Sequence, residues 1–289
     1  MKQKKLGRTS VEVGAIGLGA MPLSLDGRPP EEQALAVIHR ALDLGVTLID
    51  TADAYCIDER DKHHNERLIA KALSLYKGNT GGVIVATKGG LMRPNGDWVS
   101  NGDPRHIHKT IHESYQALGG QRPIPLWQLH APDPRFDLSE TLKPVREAVG
   151  SGLVRFVGLS NVDVQQVEQA REIVEIVSVQ NQYNPWRRTA EKDGILAYCE
   201  REKLTFLPWS PLGGSDRVRR LNDIPVLRTL SQERGVSPQR IVLAWMLARS
   251  PAILPIPGAS KKHNLEDSVA AADLALSPED VEKIDRQLP

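Results

Sequence analysis

The chain has 289 residues, 40% of them apolar, and a formal net charge of +1 from 37 basic and 36 acidic side chains. That balance leaves no basic footprint for nucleic acid or an anionic membrane, so small, roughly neutral partners are expected. Cys56 and Cys199 are too few for a disulfide framework, and no run approaches the roughly 20 apolar residues of a membrane span.

The opening stretch MKQKKLGRTSVEVGAIGLGAM interrupts its apolar run with Glu12 and glycines, unlike a signal peptide, and the expectation is a cytoplasmic protein, monomeric or weakly oligomeric. Its first element is a hairpin in which LGRTS turns between residues 2–5 and 11–13. Short apolar runs then alternate with amphipathic stretches. Strands are expected at 15–20, 46–50, 83–88, 125–130, 154–161, 176–181, 204–209 and 252–257. The helices between and after them fall at 30–44, 64–76, 104–118, 138–149, 163–175, 189–202, 237–249, 261–271 and 278–287, several opened by starters such as Asp103-Pro104 and Ser237-Pro238.

At about 150 residues per domain the length suggests two domains, but α/β barrels also reach this size and no linker breaks the series. Eight strand-helix units, with strands apolar on both faces, imply a parallel sheet closed on itself. The expectation is an α/β fold of one domain, 1–289: a (β/α)8 TIM barrel with an N-terminal β-hairpin and an extra C-terminal helix. An open doubly wound sheet fits less well, because Gly14, Gly17 and Gly19 lack the dinucleotide-fingerprint spacing and no helix starts behind them.

In such a barrel the chemistry sits at the C-terminal ends of the strands. Asp50, Lys88, His130, Ser160 with Asn161, Gln180, and Trp209 with Ser210 all fall there. Any one of these polar residues alone would merely mark where a strand stops; six strands delivering such groups to one rim point to a site. A free phenol has a pKa of about 10, and a nearby cation lowers it. Lys88 is expected to do this for Tyr55, with Asp50 holding the lysine and His130 facing the substrate oxygen. Such an assembly suits carbonyl reduction, in which an oxygen becomes negative beside a proton donor.

The segments GVTLIDTADAY (45–55), ATKGG (86–90), LWQLHAPDP (126–134), GLSN (158–161), VQNQYNP (179–185), WSPLGG (209–214) and IPGAS (256–260) give the chain a specific resemblance to the aldo-keto reductase family. Seven motifs in the family's order and spacing cover it from the hairpin to the last helix. The resemblance implies Tyr55 as general acid, Lys88 and Asp50 as its adjusters, His130 as the residue orienting the carbonyl, and NADPH as hydride donor. It also implies that Ser160, Asn161 and Gln180 bond the nicotinamide carboxamide and that Trp209 stacks on the ring. Ser210, Leu212 and Gly214 would approach the pyrophosphate, as would Arg217 and Arg220 if they are more than a solvated charged loop. Gly258, Ser260, Lys261 and Lys262, at the start of a helix, would hold a 2′-phosphate and favour NADPH over NADH. Asn264, Asp267 and Ser268 depart from the family there, where many members carry a longer or basic residue, then Glu and Asn against the adenine.

Trp98, on the long loop 91–103, with Met21 and Trp186, is expected to line the substrate pocket, whereas Phe136 is read as packing on its own loop. The short end after the last helix suggests an open pocket and broad aldehyde tolerance. No metal is expected: His108 and His112 lie four apart on a helix face without a third ligand, and DERDKHHNER (58–67) reads as a charged loop running into a helix. Cys56 has no neighbours that argue for thiolate activation. Two other functions compete with carbonyl reduction. One is a Schiff-base aldolase using Lys88, although Asp50 would keep that lysine protonated. The other is a cofactor-sensing binding subunit, as in the potassium-channel β subunits that resemble this family.

Overall fold

The computed structural model describes residues 1–288. Strands β1 (Gln3–Lys5) and β2 (Glu12–Gly14) form the antiparallel hairpin. Then β3 (Leu18–Gly19), β4 (Leu48–Asp50), β5 (Ile84–Gly89), β8 (Ile124–Leu129), β9 (Val154–Ser160), β10 (Ile176–Gln180) and β11 (Thr205–Phe206) pair in chain order, all parallel, in one sheet. Between β5 and β8, β6 (Leu91–Met92) and β7 (Val99–Ser100) make a small antiparallel hairpin inside what reads in the sequence as irregular loop.

Closure falls to the eighth segment, residues 252–257, which joins β11 to β3 without forming a continuous ladder. Phe206 N donates to Ala252 O and Leu254 N to Phe206 O, at 2.8 and 2.9 Å. On the other side Gly17 N donates to Pro255 O and Gly19 N to Pro257 O, at 2.9 and 3.0 Å. Two of the segment's six residues are prolines, which accept but cannot donate, so the expected strand is reduced to isolated bridges. The glycines of IGLGA have their explanation here. A Cβ on Gly19 would stand 2.7 Å from Ile256 O, and one on Gly17 3.0 Å from the Ile256 side chain. They are the close-approach residues of the barrel seam.

Helices α1 (Glu31–Asp43), α2 (His64–Leu75), α3 (Pro104–Ala117), α4 (Leu138–Gly150) and α5 (Val164–Arg171) surround the first strands. The single helix expected at 189–202 is two, α6 (Thr189–Lys192) and α7 (Ile195–Arg201), broken at Gly194 with φ 83°. Helix α8 (Pro225–Arg234), where the sequence reading places no element, precedes α9 (Pro238–Arg249), α10 (Lys262–Val269) and α11 (Pro278–Gln287). Its start at Pro225, its stop at Gly235 with φ 63° and its buried Val226, Leu227 and Leu230 are ordinary helix signals, obscured by five charged side chains between 216 and 223.

Apolar packing divides accordingly. Leu48, Ile84, Leu126, Val177, Leu207 and Leu254 fill the barrel with Leu6 and Val13 of the hairpin region, which seals the N-terminal mouth. Larger clusters lie between the strands and the helices. The C-terminal mouth is left for the polar groups. Because the atom that Cβ of residue 19 would strike is backbone, Gly19→Ala should destabilise the protein by about 1–3 kcal/mol, read as a lower midpoint in urea denaturation.

Candidate active site

Parallel pairing of β4 with β5 sets Asp50 opposite Ala86, and β5 with β8 sets Lys88 opposite Gln128. Lys88 is fully buried, and its Nζ has three acceptors: Asp50 Oδ1 at 2.7 Å, Thr51 O at 2.7 Å and Tyr55 Oη at 2.9 Å. The Tyr55 hydroxyl also faces Asp50 Oδ2 at 3.5 Å. Gln180 donates to Asp50 Oδ1 at 2.7 Å, so its amide braces the carboxylate from across the barrel. Four residues from three strand ends thus form one buried polar cluster.

His130 meets Tyr55 edge to face, with ring centroids 5.7 Å apart, and Trp98, carried on the β6–β7 hairpin, closes the triangle at 6.0 Å from His130 and 6.4 Å from Tyr55. Burial and the Lys88 charge hold the His130 imidazole well below its usual pKa, so it is neutral. For Tyr55 the sequence-based expectation fails in sign. Burial, reinforced by the Asp50 carboxylate, raises the phenol well above 10, so Lys88 does not make it a strong acid at rest. The phenol is a protonated donor whose hydroxyl receives a hydrogen bond from an ammonium.

Ser160 and Asn161 follow at the end of β9. Asn161 adopts a left-handed conformation, φ 58°, and its amide donates to His130 O at 2.9 Å and to Ser160 Oγ at 3.2 Å. Trp209 Nε1 donates to Asn161 Oδ1 at 3.1 Å, which fixes the indole beside these two residues. Ser210 next to it is also left-handed, φ 47°, with its carbonyl held by Asn184 Nδ2 at 3.0 Å. A serine gains nothing intrinsic from that conformation, and such strain collects at functional loops. Leu212 is partly buried, while Gly213 and Gly214 have φ 86° and 80°. Gly213 packs under Trp186, on which Arg217 stacks at 5.7 Å, and Trp186 and Arg220 line a separate recess with Asp223, Ile224, Pro225 and Gln287. Trp186 therefore sits with the pyrophosphate-loop candidates, and Met21 opens a short turn, Met21–Leu23, whose Pro22 lies against Gly258.

Lys261 caps α10 without a side-chain hydrogen bond, the first turn holds no acid, and Lys261, Lys262 and Asn264 are exposed. Asp267 points elsewhere: Arg240 pairs with it at 2.8 Å and Ser237 donates to it. Ser268 is buried.

The sequence reading missed the layer behind Lys88. Glu66 and Asn65, taken as part of a charged run, are fully buried on the face of α2 that also carries Leu68, Ile69 and Ala72. Glu66 accepts from Thr87 Oγ1 and contacts His63 Nδ1 at 2.6 Å; Asn65 joins Thr51, Ala20 O and Ser24. Helical spacing onto the Leu68 stripe was the available signal. Asp53 is buried with neither carboxylate oxygen hydrogen-bonded and Lys62 Nζ 3.4 Å away; burial pushes its carboxyl up to about 7 despite that cation.

A closed parallel barrel with acid-base groups buried at its C-terminal mouth is the frame of a barrel enzyme. The chain belongs to the aldo/keto reductase family, whose sequence profile matches residues 15–288, and is an NAD(P)H-dependent oxidoreductase. It is 37% identical over 281 residues to the uncharacterized oxidoreductase C215.11c of Schizosaccharomyces pombe, covering 95% of this chain and 87% of that one. It is 32% identical over 284 residues to pyridoxine 4-dehydrogenase of Escherichia coli, covering 94% of each. Among solved structures, an aldo/keto reductase from Klebsiella pneumoniae in complex with NADP and acetate superposes with a TM-score of 0.83 at 25% identity, covering 100% of this chain and 95% of that one. Among the described residues no group of three or more metal-binding side chains occurs, and no helix is long and apolar enough to cross a membrane.

Asp53 gives a pH prediction. Its carboxyl ionises near 3.8 when ordinary and near 7 in the fold, so the folded protein holds the proton longer and loses stability as pH rises from about 4 to about 7. Asp53→Asn should remove that loss. Urea midpoints across pH should show the variant gaining on the parent through this window, by on the order of 4 kcal/mol at its top, with the difference constant below pH about 4.

Proposed function

We propose that the protein reduces aldehydes and ketones to alcohols with NADPH, with Tyr55 as the proton donor. The observation that carries this reading is the 2.9 Å hydrogen bond from Lys88 Nζ to Tyr55 Oη inside a fully buried Lys88–Asp50 pair. A raised phenol pKa keeps the proton in place at neutral pH. An alkoxide is far more basic than a phenolate, so as the carbonyl oxygen gains charge the proton still moves to it. The phenolate left behind is met at once by the ammonium, which needs no reorganisation to do so. His130, neutral, donates a hydrogen bond to the substrate oxygen and positions it without adding charge.

The donor set fits a dinucleotide. Ser160 offers a hydroxyl at the rim beside the half-buried Trp209 indole, while the Asn161 amide is engaged by His130 O, Ser160 Oγ and Trp209 Nε1 and holds that edge in place. Gly213 and Gly214 give a loop whose backbone can approach a pyrophosphate, and the uncapped amino end of α10 with Lys261 and Lys262 suits a 2′-phosphate. When bound, the reduced cofactor supplies the hydride. Gln180 in this reading braces Asp50, and its amide is less free for the nicotinamide.

The aldolase alternative loses ground to the same geometry. Burial lowers the Lys88 pKa, but the Asp50 carboxylate opposes that shift and three acceptors occupy the three N–H donors, which holds the ammonium form, and an ammonium is no nucleophile.

Tyr55→Phe should bind NADPH as the parent does, by fluorescence titration, while kcat for aldehyde reduction, followed by nicotinamide absorbance, falls about 10²- to 10⁴-fold. Undiminished turnover would remove Tyr55 from the mechanism. Replacing Lys261 and Lys262 together by alanine should raise KM for NADPH about tenfold and leave KM for NADH nearly unchanged, since only the former carries the phosphate.

A further inference from the structure

Arg93 follows β6 and is 8% exposed, buried at the edge of the aromatic triangle. Its guanidinium carbon lies 4.0 Å from the centroid of the Trp98 ring, the same ring whose neighbours are Tyr55 and His130. Among the described residues it has no carboxylate within ion-pair distance. Glu59 accepts from the Arg93 backbone N–H, and Asp61 is held by Arg28 and the Ile57 N–H. The guanidinium reaches one protein acceptor, Ile57 O, at a marginal 3.5 Å, and its Nε is buried with no partner at all. Arg188, Arg240 and Arg249 are more exposed, and each has a carboxylate within 4 Å.

A buried cation without a counter-ion is costly, and the aromatic face offsets only part of that cost. Such a charge, held beside the proposed reacting groups with unsatisfied planar donors, is suited to a ligand oxyanion. We propose that Arg93, braced on Trp98, is an anion subsite that selects aldehydes carrying a carboxylate or phosphate at the end away from the carbonyl. The assignment rests on the reading of Tyr55 and His130 as the carbonyl-binding groups. The substrate chain then runs along the Trp98 ring, with its carbonyl at one side and its anion at the other. Exposed Ile57 and Trp98 supply the apolar stretch between.

Two matched pairs test this: 4-oxobutanoate against butanal, and glyceraldehyde 3-phosphate against glyceraldehyde. Each is assayed for kcat/KM on the NADPH-loaded parent, Arg93→Met and Arg93→Lys. The parent should prefer the charged member of at least one pair. That preference should fall about 10- to 100-fold in Arg93→Met, the loss expected for a charge-assisted contact, and partly in Arg93→Lys, which keeps the charge without the fork. The pair showing the larger fall tells carboxylate from phosphate. The same preference in parent and both variants, or none in the parent, overturns the subsite. If no aldehyde is reduced, the functional reading fails on its own, and a second measurement still decides the subsite. Succinate and inorganic phosphate are titrated against the tryptophan fluorescence of the cofactor-free protein. Saturable quenching by either that is lost in Arg93→Met supports the subsite; no quenching in the parent, or equal quenching in the variant, overturns it. Arg93→Lys carries both measurements if the methionine variant melts early.

Discussion

The structure is organised around a positive charge that has no access to water. Lys88 Nζ lies inside the barrel with its side chain fully buried, and an isolated ammonium in such a place would give up its proton or unfold the site. It is tolerable because its three donors meet three acceptors, two of which, Asp50 Oδ1 and Thr51 O, come from consecutive residues at the end of β4. That supply depends on register. Asp50 stands opposite Ala86, two residues before Lys88 on the neighbouring strand, and a slip of one residue would turn Lys88 toward the helix layer. The same register delivers Tyr55 as the third acceptor, so the phenol's position follows from solving the problem of the charge.

Which mouth of the barrel holds the polar cluster is settled by what covers the other one. Leu6 and Val13 plug the N-terminal end, where short turns leave little space. At the opposite end the chain leaves each strand through loops, and the seam there is built from glycines facing prolines. Because Pro255 and Pro257 give only carbonyls, the seam is held by single hydrogen bonds to Gly17 and Gly19 and carries the chain directly into Gly258 and the uncapped start of α10. The feature that prevents a regular eighth strand thus also places an open helix end at the rim.

Much of this was legible in the sequence, because the parallel strands are apolar on both faces and stop at polar residues. Strands β4, β5, β8, β9 and β10 fall within two residues of where the pattern puts them, and Asp50, Tyr55, Lys88 and His130 do converge. Other features depend on what lies across space. Glu66 looks like one more member of a charged run until α2 turns it inward onto Thr87. Helix α8 is masked by the charges that precede it, and Gly194 breaks a helix whose apolar spacing runs on unbroken. The sign of the Tyr55 shift was not legible at all. It depends on how completely the phenol is buried and on the 3.5 Å approach of the second Asp50 oxygen, neither of which a motif encodes.

In the proposed reaction that sign changes what Lys88 is for. If the lysine served to acidify the phenol at rest, a fraction of Tyr55 would be ionised and unable to donate. Burial and Asp50 oppose this and keep the proton on the oxygen, while the ammonium remains hydrogen-bonded to that same oxygen. His130 completes the balance. A charged imidazole beside Lys88 would add a cation with no counter-ion to the cluster, and burial with the lysine's own field prevents it. The only full charges in the cluster, Lys88 and Asp50, then cancel. In the proposed reaction the cluster would present neutral donors to the substrate, with a positive charge one atom behind them, an arrangement that would interact weakly with a neutral carbonyl and strongly with the oxyanion it becomes.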